Sequence, residues 1–156
     1  MNPSSEVPES RREARLLSVL FWALLATFAL VLGSILVPFL ELLGGSGFLA
    51  LLGAYCVLGL ALLVLSIRAK HVGAMRKFLI LTGASPVGLA GSAILHNVFY
   101  GLATLTEDWP ILKSVLNGLE VAFFLIATIV WPLAFLGGVV GTIVHLIGRR
   151  ASRGKA

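Results

Sequence analysis

The chain is poor in charge and in the residues that do chemistry. Its one cysteine, Cys56, excludes an intramolecular disulfide. Its three histidines, His71, His96 and His145, are too scattered for the closely spaced Cys/His sets of a structural zinc site. There is no Cys-x-x-Cys, His-Glu-x-x-His, Gly-x-Ser-x-Gly or phosphate-binding loop, so thiol-redox, protease, esterase and nucleotidase readings have no residues to stand on. Only 12% of residues are charged, against about 25% in an ordinary soluble domain. No acidic residue interrupts the long apolar runs, which weakens the case for a proton-coupled exporter of the small four-helix kind. The expectation is no catalytic set, no metal and no cofactor.

What is present is hydrophobicity, 58% of 156 residues. It is gathered in four uncharged runs at 16–40, 42–67, 78–106 and 121–148. Each exceeds the roughly 20 residues that cross about 30 Å of hydrocarbon. Runs of this kind do not alternate over about ten residues, as barrel strands would. The fold class expected is therefore all-α: an integral membrane four-helix bundle, with no room for a separate soluble domain.

Charge placement orients it. Eleven of the twelve Lys and Arg residues fall in three clusters. Arg11, Arg12 and Arg15 precede the first run. Arg68, Lys70, Arg76 and Lys77 join the second to the third, and Arg149, Arg150, Arg153 and Lys155 follow the fourth. The two alternate loops hold Glu41, Glu107, Asp108 and Glu120, with Lys113 their one cation. Basic loops on alternate sides mark cytoplasmic retention, which puts both termini in the cytoplasm. The net charge of +5 then belongs to orientation and to anionic lipid head groups, not to nucleic acid. The basic start resembles a signal sequence, but the run is long and no small-x-small site closes it, so a retained span is expected.

The boundaries expected are a cytoplasmic tail over 1–15, spans at about 16–40, 48–67, 78–102 and 119–147, and a basic tail over 149–156. Before the fourth span, Asp108 can cap and Pro110 fits a first helical turn. Trp109, Leu112, Val115 and Leu116 recur at helical spacing, predicting a short interfacial helix over 109–116. Residues 117–120 (Asn-Gly-Leu-Glu) resemble a capping box that restarts the chain as the fourth span. Pro86 and Pro132, inside spans three and four, predict kinks.

Span three is the unusual one. At 100° per residue, Ser85, Gly88, Ser92 and His96 share one face, with Tyr100 beside it. Gly137, Gly138 and Gly141 give span four a similar small surface, and the two faces are expected to pack together. His96, Asn97, Tyr100 and Glu120 gather near the outer end as a candidate polar or ion site, since intramembrane ionisable groups are costly and usually face an interior or a wet cavity. His145 is expected to bond a carbonyl or solvent, and Trp131 to fill space beside Pro132.

Leu81, Thr82, Gly83, Ala84 and Ser85, followed by Leu95, His96, Asn97, Val98, Phe99, Tyr100 and Gly101, resemble a segment of small, uncharacterised multi-pass membrane proteins of prokaryotes. The likeness covers about one span. It implies a bacterial or archaeal cell membrane and raises His96, Asn97 and Tyr100 as candidates.

Two functions follow as expectations. The first is a non-enzymatic protein that acts through helix–helix association, with itself or in a larger membrane complex. The alternative is a small transporter or channel for an ion or polar solute, using an outward site near His96 and Glu120. An intramembrane enzyme would need a polar pocket containing His96 and a second group.

Overall fold

The computed structural model describes residues 6–36, 44–69 and 73–153, with side chains over 12–34, 45–69 and 73–148. The described residues form helices and short connections, with no strand among them. Helix α1 is Glu6–Leu36, α2 Gly44–Arg68, α3 Met75–Leu105, α4 Pro110–Leu125 and α5 Trp131–Arg153. A single π turn, Ile126–Val130, joins α4 to α5 without a loop. Four helices are long and apolar enough to cross a membrane: Arg12–Ser34, Gly45–Arg68, Met75–Leu105 and Pro110–Gly148. The chain is an all-helical, multi-pass membrane protein.

Two boundaries differ from expectation. Helix α1 reaches back to Glu6, into what the sequence suggests is a tail. Pro8 falls in its first turn, where a missing N–H costs nothing. The separate helix over 109–116 does not end before span four. Helix α4 starts at Pro110 and runs unbroken through Asn117, Gly118 and Glu120. Gly118 inside a helix costs only about 1 kcal/mol, too little to break it when Leu116 is buried and Glu120 meets His96 of α3. The N-cap of α4 is Trp109, with no side-chain capping bond, so Asp108 does not cap. Pro38, Glu41, Lys70 and His71 lie outside the described residues, as do the side chains of Arg149 and Arg150 on α5.

Helix α3 is the centre of the bundle, packing on α2, α4 and α5, while α1 packs chiefly on α2. Toward the basic end all four spans contribute to one core: Leu17, Phe21 and Leu24 of α1, Tyr55 and Leu62 of α2, Leu79 of α3, Phe135 and Val139 of α5. Phe28, Tyr55 and Phe135 form an aromatic knot at its top, the Phe28 and Phe135 rings 4.4 Å apart. In lipid the apolar effect does not drive helices together, so close backbone approach must. Glycine supplies it. A Cβ on Gly83 would lie 2.6 Å from the Leu63 amide nitrogen and 2.8 Å from the Gly59 carbonyl, and one on Gly59 would strike the Pro86 ring. On the other face of α3, Gly138 sits against Thr82 and Gly141 against the Phe78 ring.

Above the level of Pro86 the α2-facing stripe of α3 opens. Pro86 is buried on Gly59 and Cys56 Sγ donates to its carbonyl at 3.6 Å, yet Ile94 and Asn97, further along the same stripe, are exposed. The α3–α4 side stays zipped: the Phe99 and Phe123 rings stack at 5.5 Å, and Ala103 and Leu116 are buried. From this level upward α3 and α4 form a hairpin of their own.

Candidate functional site

The π turn explains how Pro132 is tolerated in a span. An α-helical proline at 132 would collide with the Thr128 carbonyl. The turn widens instead, and the Trp131 amide bonds Ile126 O, five residues back. The widened register lays the Trp131 indole over Gly88, where a Cβ would collide with the ring, and its Nε1–H donates to Ser92 Oγ at 2.9 Å. Ser85 is buried and donates to Leu81 O at 2.7 Å. The small polar face of α3 is thus occupied by neighbouring side chains: Phe78 with Gly141, Thr82 with Gly138, Gly88 and Ser92 with Trp131. Gly137 departs from the expected packing face, with nothing within 4 Å and an outward position.

His96 continues that face one turn further. Its ring lies 5.4 Å from the Phe124 ring, and its Nδ1 is 3.2 Å from the Glu120 carbonyl oxygen. Because that oxygen can only accept, the contact is a hydrogen bond when Nδ1 carries the proton. The Glu120 carboxylate is 3.9 Å from the same nitrogen. Asn97 takes no part: its amide donates to Ala93 O at 2.8 Å on the exposed side of α3, about 100° round from His96.

Beyond His96 lies a cleft of about 180 Å³ between the end of α3, the turn and the start of α4. Tyr100, Thr104, Glu107, Lys113, Asn117 and Glu120 line it, over the small wall of Ala103. Lys113 Nζ pairs with Glu107 at 3.8 Å. The structure therefore brings Tyr100 and Glu120 into one cleft, sets His96 against Glu120 without lining it, and leaves Asn97 out. It adds Thr104, Glu107, Lys113 and Asn117, none of which the sequence reading assigned to the site. Their signal was there: 100, 104 and 107 form one face of α3 and its turn, and 113, 117 and 120 one face of α4. An expected helix break at 117 hid the second.

Depth places the cleft. Between Lys77 and His96 a helix rises about 28 Å, so His96 lies near the far edge of a hydrocarbon layer about 30 Å thick. Leu105 is about 42 Å from Lys77, and an average tilt of about 20° shortens that only to about 39 Å. With Lys77 taken as one edge of the hydrocarbon, the hairpin tip would stand about 9 Å past the other. Leu105 is 83% exposed there, Trp109 69% and Ile111 84%.

At the opposite end, Arg76 folds back on α2. Its Nε donates to Ser66 O at 3.0 Å and its Nη2 to Ile67 O, so the guanidinium caps the last turn of α2. Arg68 and Lys77 are exposed beside it. The Ser66 hydroxyl is fully buried and has no hydrogen-bond partner. His145 bonds Gly141 O at 3.2 Å and packs on Phe78.

Among the described residues, no three His, Cys, Asp or Glu side chains converge to hold a metal ion. No protein-family model, no curated protein and no solved structure matches the chain.

Proposed function

We propose that this multi-pass membrane protein works through helix–helix association, as a homo-oligomer or a subunit of a membrane complex. Its basic end and both termini face the cytoplasm of a prokaryotic cell, and the α3–α4 hairpin faces out of the cell membrane. The charge clusters support that orientation, and the likeness of the α3 segment to small prokaryotic membrane proteins supports the cell type.

One observation carries the association reading. Leu105, Trp109 and Ile111 are exposed at the turn between α3 and α4, which by helix rise from Lys77 would stand about 9 Å past a hydrocarbon layer of about 30 Å. Apolar side chains at such a place are covered by a partner or sunk into the head-group layer. Apart from the outward Gly137, the small residues Gly88, Ser92, Gly138 and Gly141 are covered within the molecule. The surface left for a partner is thus the hairpin and not the glycine stripe. The packing of Phe78 on Gly141 and of Trp131 on Gly88 and Ser92 supports the same reading, since these rings cover the small face of α3 that a transport path would need.

The test is the mass of the native particle. Extracted directly into polymer-bounded lipid discs at native expression, the protein should run as a multimer or with a stoichiometric partner. A lone chain in every disc would end the reading. A second reading, a small transporter or channel for an ion or polar solute, is favoured by the cleft beside Glu120. Unchanged flux in a His96→Ala, Glu120→Gln variant would end that one.

A further inference from the structure

The charge in the outer cleft does not balance. Of its two carboxylates, Glu107 has the Lys113 ammonium at 3.8 Å. Glu120, with 22% of its side chain exposed, has only His96 at 3.9 Å, and an imidazole is a counter-ion only when protonated. Among the described residues, the ionisable groups that line the cleft or touch Glu120 are His96 and Tyr100 of α3, Glu107 of the turn and Lys113 of α4. With His96 neutral, the sum is one uncompensated negative charge.

The lining says what would compensate it. Thr104 spends its hydroxyl hydrogen on Gly101 O at 2.7 Å, leaving its oxygen free to accept. The Asn117 carbonyl and the Tyr100 phenol oxygen add acceptors, and Lys113 is the one fixed cation. A bare divalent metal fits poorly, because no three metal-ligating side chains converge and the space is that of about six waters at about 30 Å³ each. An alkylammonium fits better. Its N–H groups match the carboxylate and neutral oxygens, its carbon end matches Ala103, and the Tyr100 ring offers a face to the cation. Lys113 already shows the chemistry, with an ammonium on a carbon stem lying against Glu107 in the same cleft.

We infer that this cleft binds a primary ammonium group against Glu120. The ammonium has two sources at this depth, a soluble amine from outside or the head group of a neighbouring phosphatidylethanolamine. The site rests on the cleft that also favours the transport reading, but it requires binding only, not passage.

The experiment uses the full chain in nanodiscs of phosphatidylglycerol, which carries no ammonium. Ethylammonium chloride is titrated against sodium chloride at constant ionic strength, reading the backbone amide signals of Gly118 and Glu120 by nuclear magnetic resonance. Ethylammonium should give saturable shifts that sodium does not. Binding should weaken about tenfold or more in Glu120→Gln, whose unchanged remaining spectrum reports the fold. It should tighten several-fold in Lys113→Gln, which removes the cleft's one cation and leaves Glu107 uncompensated as well. In discs containing phosphatidylethanolamine, a head-group source predicts that ethylammonium no longer shifts these signals and that this lipid is retained by the native chain but not by Glu120→Gln. A soluble source predicts unchanged titration there. Shifts that never saturate, or that are equal in Glu120→Gln, overturn the proposal in either disc. Binding without flux would sustain it while removing the transport reading.

Discussion

Replacing Gly83 by Ala tests how α2 and α3 are held together. The added methyl would meet the Leu63 amide nitrogen at 2.6 Å, the Gly59 carbonyl at 2.8 Å and Leu63 Cα at 3.0 Å. All three are backbone atoms in a helix, so no rotamer change relieves them. The helices must separate by close to 1 Å at the crossing. A gap of that size forfeits about a quarter to a half of each dispersion contact across it, including those of Gly59 with Pro86. Overpacking of this kind costs about 1–3 kcal/mol, and immovable neighbours place Gly83 in the upper part of that range. Against it stands the better helix propensity of Ala, roughly 0.5–1 kcal/mol. Gly91→Ala isolates that second effect, since nothing lies within 4 Å of its Cβ position. Reversible unfolding in mixed micelles should find Gly83→Ala about 2–3 kcal/mol less stable than Gly91→Ala. Two variants equal within about 0.5 kcal/mol would refute close backbone approach as what fixes this crossing.

Three further substitutions probe the other contacts. A double-mutant cycle of Trp131→Phe with Ser92→Ala should give a coupling of about 0.6–1.7 kcal/mol, the range for hydrogen bonds between spans; zero coupling would mean the indole is held by packing over Gly88 alone. Arg76→Ala should cost about 1 kcal/mol and raise hydrogen exchange in the last turn of α2, with Arg76→Lys intermediate; uniform exchange at 62–68 in all three would show that the cap is idle. Ser66→Ala removes a buried hydroxyl that has no partner and should leave stability unchanged or raise it by about 1 kcal/mol, so a loss above 1 kcal/mol by the same unfolding assay would mean that the hydroxyl is bonded in the membrane.

The four helices were legible because the hydrocarbon demands long uncharged runs, and charged residues such as Arg68, Lys77 and Glu107 mark where they stop. The pairing of α3 with the last span was legible too, in the small residues Gly88, Ser92, Gly138 and Gly141. What fills those notches was not. Trp131 reaches Ser92 only because Pro132 forces a π turn, and a change of one residue in helical register leaves no trace in hydropathy. Arg76 looked like one more topology-setting cation, yet its place just past Gly73 (φ 62) turns it back onto α2. The outer cleft was half visible. His96, Tyr100 and Glu120 stand out as polar groups near a span end, whereas the cap-like sequence at 117–120 reads as a break that separates Lys113, on a helix over 109–116, from Asn117 at the start of the fourth span. Asn97 was drawn in by adjacency in sequence, which on a helix places it on another face.

Whether the exposed hairpin tip meets another protein decides the functional account most directly. A photo-crosslinking amino acid would be placed at Ile111 and, as a control, at Val144, equally outward-facing on α5 but within the span. Irradiation of intact cells at native expression should give one discrete higher-mass adduct from position 111, a dimer or a single partner, and none from 144. Crosslinks to lipid alone at both positions would contradict association through the hairpin and leave the tip as a membrane-surface anchor.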